Sequence, residues 1–279
     1  MKEFFRNKTV KNILYAVLSF VLSVSIVGVA LSSLLRFTVL NNSFLTDALN
    51  NSNYYTDLCD EITDDLMDIG DASGLDKSFF EGFINEVFVR EDVQDYIDKF
   101  YSGDKLEVDT RHFDESLRTA LDKYISAHKI QSYTDSSLSY FIKEATGIYT
   151  QHIELKYFGM LQKLAQDYSS KLVWAMIICI VTAAAACLLM IFTNEWKHKG
   201  VRCIAYSTGA AALFTLLIPA AVYITGIPGK ITIISRSLSD MYLTCLNTIL
   251  TDMFIISGVL FVLFAALILI HNKIRKKAT

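Results

Sequence analysis

Proline is nearly missing from this 279-residue chain. There are two, Pro219 and Pro228, and none between residues 36 and 171. Proline breaks helices by removing an N–H donor and crowding the preceding turn, so nothing of that kind interrupts helix formation across that stretch. Cysteine is sparse too: Cys59, Cys179, Cys187, Cys203 and Cys245. Only Cys59 falls within residues 36–171, which excludes a disulfide framework inside that region. A Cys59–Cys245 bridge is conceivable on the topology derived below, but spacing alone cannot establish its geometry. Motifs that mark chemistry are lacking as well. No C-x-x-C, H-E-x-x-H or G-x-S-x-G is present, so the common zinc, metalloprotease and serine-hydrolase signatures are excluded.

The most informative absence is that of charge from long apolar runs. Residues 13–35 carry none. A helix rises about 1.5 Å per residue, so about 20 apolar residues cross a hydrocarbon core of about 30 Å. Lys2, Arg6, Lys8 and Lys11 precede this run against one Glu3. Basic flanks stay in the cytoplasm, which places residues 1–12 inside. The rival reading is a cleaved signal peptide, with Gly28 and Ala30 as its small-residue site; the run is longer than the usual apolar core of such a peptide, which favours a retained anchor. Three more runs follow. Residues 172–193 form the second expected span, 201–226 the third and 252–271 the fourth. The short link at 194–200 carries Lys197 and Lys199, Arg202 follows it, and the tail at 272–279 carries Lys273, Arg275, Lys276 and Lys277. These basic flanks agree on one topology in the plasma membrane: four spans, both termini cytoplasmic, residues 36–171 outside.

Charge follows the same division. Residues 36–171 hold 25 acidic and 13 basic side chains, the remainder 4 acidic and 13 basic. An acidic outer region with basic inner edges argues against nucleic-acid binding, which requires a basic face.

Within residues 36–171 the apolar positions recur at helical spacing. Asn42 or Ser43 caps a short helix through Leu49. Asn51–Asn53 offers a cap for a helix from about Tyr54 to Ile69, with Leu58, Ile62, Leu66 and Ile69 on one face; the stretch Gly70–Gly74 breaks it. Asp76 is expected to cap a helix bearing Phe79, Phe80, Phe83, Ile84 and Val87. Val93, Tyr96, Ile97 and Phe100 define the next, which ends at Gly103. After an extended link at Lys105–Asp109, Thr110 caps a helix with Phe113, Leu117, Leu121, Tyr124 and Ile125. A polar break at Gln131–Thr134 precedes a long helical pattern from Asp135. It is expected to run with little interruption into the second span, with Gly147 and Gly159 its weakest points. The fold class expected is all-α: four transmembrane helices with a large extracytoplasmic helical-bundle domain between spans one and two.

Candidate sites are few. Asp57, Asp60, Glu61, Asp64, Asp65 and Asp68 form an acidic stripe. Clustered carboxylates can bind Ca²⁺ or Mg²⁺, but the spacing matches the solvated face of an amphipathic helix. Whether the stripe binds cations stays open. His112 lies near Asp114 and Glu115, His152 near Glu154, and His128 stands apart. Without a nucleophile beside them, surface roles are expected. The pairs Tyr54–Tyr55 and Phe79–Phe80 are in register for the core rather than for a partner. No catalytic, cofactor-binding or metal-ligating residue is assigned.

In the membrane, Ser19, Ser23, Ser25, Gly28 and Ser32 leave room for a neighbouring helix, though variety in a lipid-facing helix explains them as well. Small residues at Ala183–Cys187 and at Ala205 and Gly209–Ala212 fit a closely packed hairpin of spans two and three. Pro219 removes the bond to the Thr215 carbonyl and is expected to shape the third span. No ionisable residue lies deep in any span, which argues against ion-coupled transport. Residues 227–251 show helical spacing at Ile231, Ile234, Leu238, Met241, Cys245 and Ile249. They are expected to form an outer amphipathic helix, on the membrane face or under the large domain.

The segments Phe37–Asn42 (FTVLNN), Ser52–Tyr55 (SNYY), Glu91–Gly103 (EDVQDYIDKFYSG) and Leu106–Thr110 (LEVDT) resemble an uncharacterised family of four-span membrane proteins of Gram-positive bacteria. The resemblance implies a membrane protein of this architecture and brings no activity. The function expected is non-enzymatic: an outer helical domain that senses or binds an extracytoplasmic protein or cell-wall partner, tethered in the lipid bilayer. The alternative is a permease-like ABC subunit working with a cytoplasmic ATPase, which its order of one span, outer domain and three spans resembles. That alternative makes a distinct prediction. Replacing Lys197, Lys199 and Arg202 together should abolish co-purification of the ATPase, and an unchanged complex would remove those residues from the contact.

Overall fold

The computed structural model describes residues 8–129, 134–155, 158–193, 197–227 and 235–278. Expectations that fall on Lys2 and Arg6, on 130–133, on the link at 194–196 and on Lys230, Ile231 and Ile234 lie outside these. All regular structure among the described residues is helical. The elements are α1 (Lys8–Phe37), α2 (Asn42–Asn50), α3 (Tyr54–Ser73), a single 3-10 turn (Lys77–Phe79), α4 (Glu86–Ser102), α5 (Arg111–His128), α6 (Asp135–Ile153), α7 (Phe158–Phe192), α8 (Lys197–Thr225) and α9 (Arg236–Ala278). Helices α1, α7, α8 and α9 each contain a stretch long and apolar enough to cross a membrane. The chain forms two compact units. The first comprises Met1–Leu40, Asp167–Ile231 and Leu246–Thr279, the second Asn41–Gln166 and Thr232–Cys245.

The second unit is a helical bundle built on capped ends. Asn41 accepts the Ser43 N–H at 3.3 Å to start α2, and Asn85 accepts the Val87 N–H at 2.8 Å to start α4. Thr134 and Ser137 form a reciprocal capping box at the start of α6, which satisfies two backbone donors that would otherwise lack partners. Gly74 and Gly103 end α3 and α4 in the left-handed conformation, where the missing Cβ removes the steric cost. The core gathers the inward faces of five helices. Tyr54, Leu58, Ile62 and Leu66 of α3 meet Leu45 and Leu49 of α2, Val93 and Ile97 of α4, Leu117 of α5 and Ala145 and Ile153 of α6.

Several expectations are corrected here. The helix read from Asp76 through Val87 is absent. The chain makes one 3-10 turn, passes Gly82 at φ +73° and restarts at Asn85. Burial drives the change, because Phe80 is fully buried against Gly70 while Val87 is exposed. For the same reason Gly70 does not break α3. A Cβ there would lie 2.3 Å from the Phe80 ring, so glycine is what lets the ring seat against a helix that continues to Ser73. The long helix from Asp135 does break, but at neither glycine: α6 ends with Glu154 in extended backbone. Ile153 and Leu155 on either side are buried in the core. The segment expected at 227–251 is not separate from the fourth span, since α9 runs without a break from Arg236. Its first residues belong to the bundle, where Leu238, Met241 and Cys245 pack against the core.

In the first unit α1 and α8 make the most extensive contact between helices. The small residues are the reason. Ser23, Ser25 and Ser32 are buried, as are Ala205, Ala211 and Ala212, and the Ser19 and Ser207 hydroxyls lie 2.6 Å apart. In an apolar medium close packing and such bonds replace the hydrophobic drive. The small face of α8 thus serves α1 chiefly, rather than a hairpin with α7. Gly209 gives room to the Phe264 ring, and Ser257 donates to the Ala212 carbonyl at 3.0 Å.

Two glycines give opposed predictions. Gly70→Ala drives a methyl into Phe80 and should cost about 1–3 kcal/mol, as overpacking does. Gly147, helical with open space at its Cβ position, should stabilise by about 0.5–1 kcal/mol as alanine. Urea unfolding of both variants checks this, and equal effects would refute the packing assigned to Phe80.

Candidate functional site

A cleft of about 1410 Å³ opens in the helical bundle. Helix α3 supplies Glu61, Asp64 and Asp65, α6 supplies Lys143, Thr150 and His152, and the start of α9 supplies Ser235 to Leu238. Glu61 and Asp65 border the apolar face at helical spacing from Leu58, which also lines the cleft, and Asp64 stands on the polar side of α3.

Glu61 is the most heavily bonded side chain of the site. Its Oε2 accepts from the hydroxyls of Ser235 and Ser237, each at 2.9 Å. Its Oε1 accepts from the backbone N–H groups of Arg236 at 2.5 Å and Ser237 at 3.2 Å. The first N–H groups of a helix have no partner within it, and the helix dipole favours an anion there. Glu61 therefore caps α9 from a helix far away in sequence. Partial burial pushes its pKa up, but the bonds from Ser237, Ser235 and the two backbone donors outweigh this and hold the carboxyl below its ordinary value. This carboxylate is committed to the cap and is not a general base.

Beside it, Asp65 pairs with His152 at 2.8 Å. His152 was expected near Glu154; the structure pairs it instead with a residue of α3, because α3 and α6 pack side by side. The Asp65 side chain is 55% exposed, so the pair contributes at most about 1 kcal/mol. Of the hydroxyls that line the cleft, those of Ser235 and Ser237 donate to Glu61. Thr146 Oγ1 lies within reach of the Asp114 carboxylate and the Ile142 carbonyl, which turns it to structural use. His112 does not pair with Asp114 or Glu115; its ring packs on Phe88, centroids 4.1 Å apart. His128 bonds the carbonyl of Tyr124 in its own helix at 3.0 Å.

The acidic stripe divides. Glu61, Asp64 and Asp65 line the cleft, whereas Asp60 and Asp68 are exposed elsewhere on α3. Among the described residues no three His, Cys, Asp or Glu side chains converge as metal ligands. Cys59 and Cys245 are both free thiols. Burial raises the Cys59 thiol to about 11, which keeps it protonated and unreactive at neutral pH.

Away from the cleft lining, other contacts join α6 to α4 and α5. Tyr149 donates to Asp92 at 2.5 Å and stacks on Phe113 with centroids 4.3 Å apart. Burial is the largest influence on Asp92 and leaves its carboxyl above the ordinary value, despite the Tyr149 bond. The arrangement can hold a ligand through carboxylates, amides and cations on an irregular wall. Sequence reasoning missed the cap on α9 and the Asp65–His152 pair, because each joins residues far apart in the chain. One local signal was present: Ser235 and Ser237 just before an apolar run suit a helix start.

No family model, curated protein or solved structure matches this chain.

The Glu61 cap has a pH signature. A carboxyl whose folded pKa lies below its unfolded value contributes stability above the unfolded pKa of about 4.3. That contribution is lost as pH falls through the folded pKa. Glu61→Ala should lower stability at neutral pH by about 1–2 kcal/mol, the usual worth of a cap. The gap between wild type and variant should close in the acid window below about 4.3. Urea unfolding at both pH values measures it. A variant as stable as wild type at neutral pH would show that the cap contributes nothing.

Proposed function

We propose that this chain is an integral membrane protein whose helical bundle lies outside the cytoplasm and binds an extracytoplasmic partner, with no chemistry of its own. The observation that carries the reading is the cleft walled by α3, α6 and the start of α9. It is large enough for a peptide or glycan segment and carries Asp64, Asp65 and Lys143 on its wall. Ligand sites of this kind combine a concave surface with a few placed polar groups. Two observations support binding as the role of the cleft: its histidine pairs with the Asp65 carboxylate, and Glu61 is spent on the helix cap.

The orientation rests on the basic residues beside the apolar runs. Lys11 stands before the first, Lys199 and Arg202 flank the third, and Lys273, Arg275 and Lys276 follow the fourth. This distribution keeps both termini in the cytoplasm and the bundle outside. The partner is a protein or a cell-wall polymer, reached from the outer face.

Gly147 lines the cleft and has open space where its side chain would project. Gly147→Trp therefore fills the cleft while leaving the helix intact. Tagged full-length protein is cross-linked in its native membrane, recovered in mild detergent and read by mass spectrometry. The partner bound to wild type should fall at least tenfold with Gly147→Trp. An undiminished partner would move binding away from the cleft. A stoichiometric cytoplasmic ATPase in its place would support the permease-like alternative.

A further inference from the structure

In the first unit a group of cations stands where α8 begins and the apolar run of α9 ends. His198 opens α8 and His271 lies near the close of the apolar run of α9. The His271 ring is buried and its Nδ1 stands 2.7 Å from the His198 carbonyl. The two rings are 5.8 Å apart. Arg202 is one turn beyond His198 and Arg275 one turn beyond His271, so each cation shares a helix face with its histidine. Lys199, Arg202 and Arg275 all lie within electrostatic reach of the His198 ring. Lys199, Arg202, Lys273, Arg275 and Lys276 are exposed. The His271 bond thus brings the start of one helix and the end of another together as a cationic corner, rather than as two separate flanks.

The surroundings of the corner are apolar. Leu269 and Ile270 precede His271 on α9 and are exposed, as is Tyr206 one turn after Arg202. Cations at the ends of exposed apolar helices stand at headgroup depth, with an aromatic ring at the boundary. A soluble anion would use the cations alone. An anionic phospholipid would use the cations for its phosphodiester and the apolar surface beside them for its chains.

We propose that the corner formed by Lys199, Arg202, Arg275 and the His271–His198 contact is a binding site for the phosphate group of an anionic membrane lipid. This goes beyond partner binding by the helical bundle and does not depend on it. Basic pockets between membrane helices recognise lipid phosphates through charge and geometry together. The guanidinium groups of Arg202 and Arg275 supply paired donors suited to phosphate oxygens, and the His271 bond fixes the spacing of the two helix ends that carry them.

Native mass spectrometry of the purified full-length protein tests this. The protein is equilibrated with equal amounts of phosphatidylglycerol and phosphatidylcholine of the same chain lengths. Wild type should retain phosphatidylglycerol at least tenfold over phosphatidylcholine. Arg202→Gln and Arg275→Gln should each lower that preference roughly fivefold, the usual worth of one cation near an anionic surface. Arg202→Lys, which keeps the charge, should preserve most of it. His271→Ala leaves every cation in place; a loss of preference in this variant supports a built site over diffuse attraction. Equal retention of the two lipids by wild type overturns the proposal. So does a preference unchanged in Arg202→Gln, Arg275→Gln and His271→Ala together. Loss of the lipid to millimolar inorganic phosphate would assign the corner to a soluble anion and overturn the lipid as its source.

Discussion

Backbone polar groups inside a bilayer have no water to bond, and only a helix satisfies them all within one segment. That constraint governs the chain. Four apolar stretches must be helical wherever they cross, and every ionisable group must be held at their ends or beyond them. The cost of a buried charge keeps the runs clean. The side chains that remain, serine, threonine and small apolar residues, then decide how the helices pack. Ser19 against Ser207 and Ser257 on the Ala212 carbonyl show the result. Each hydroxyl finds a partner across a helix pair, where an unpartnered one would be costly.

The bundle obeys a different rule, since water competes for every polar group there. Its order comes from burying large apolar side chains, each worth roughly 1.5–3 kcal/mol before entropy is counted. Polar residues are used at helix ends and along the cleft. Where the two demands conflict, burial wins. Phe80 shows it: the helical spacing of Phe79, Phe80 and Phe83 favours a helix, yet seating Phe80 against Gly70 is compatible only with a short turn and a restart at Asn85.

That conflict explains what was legible in the sequence. The four apolar runs were, since length and lack of charge are local properties. So were α3, α5 and the end of α4 at Gly103, because period and a left-handed glycine are also local, although neither Asn53 nor Thr110 makes the side-chain cap expected of it. The break at Glu154 was not legible. Gly147 and Gly159 are the weaker helix formers, but intrinsic preference differs by only about 1 kcal/mol per residue, and the burial of Ile153 and Leu155 outweighs it. Of the candidate site, the acidic stripe was visible as a face of α3, but its division was not. Which carboxylate lines a cleft depends on α6 and α9, and no periodicity within α3 carries that information.

Glu61 shows most clearly how a local reading falls short. By spacing it is one carboxylate among six on a solvated helix face. In the structure it is the cap of a helix that starts about 175 residues later. The pattern Ser235-Arg236-Ser237 needed an anion to complete its first turn, and the chain supplied one through tertiary contact. This makes the bundle discontinuous in sequence. Its core takes in Leu238, Met241 and Cys245, and its capping network includes the three residues before them. A boundary drawn at the second span therefore cuts through a cooperative unit: it removes apolar partners from the core and leaves the Glu61 carboxylate without its four donors. The same residues form one wall of the cleft, so the integrity of the site and the cap on α9 are linked by a single side chain.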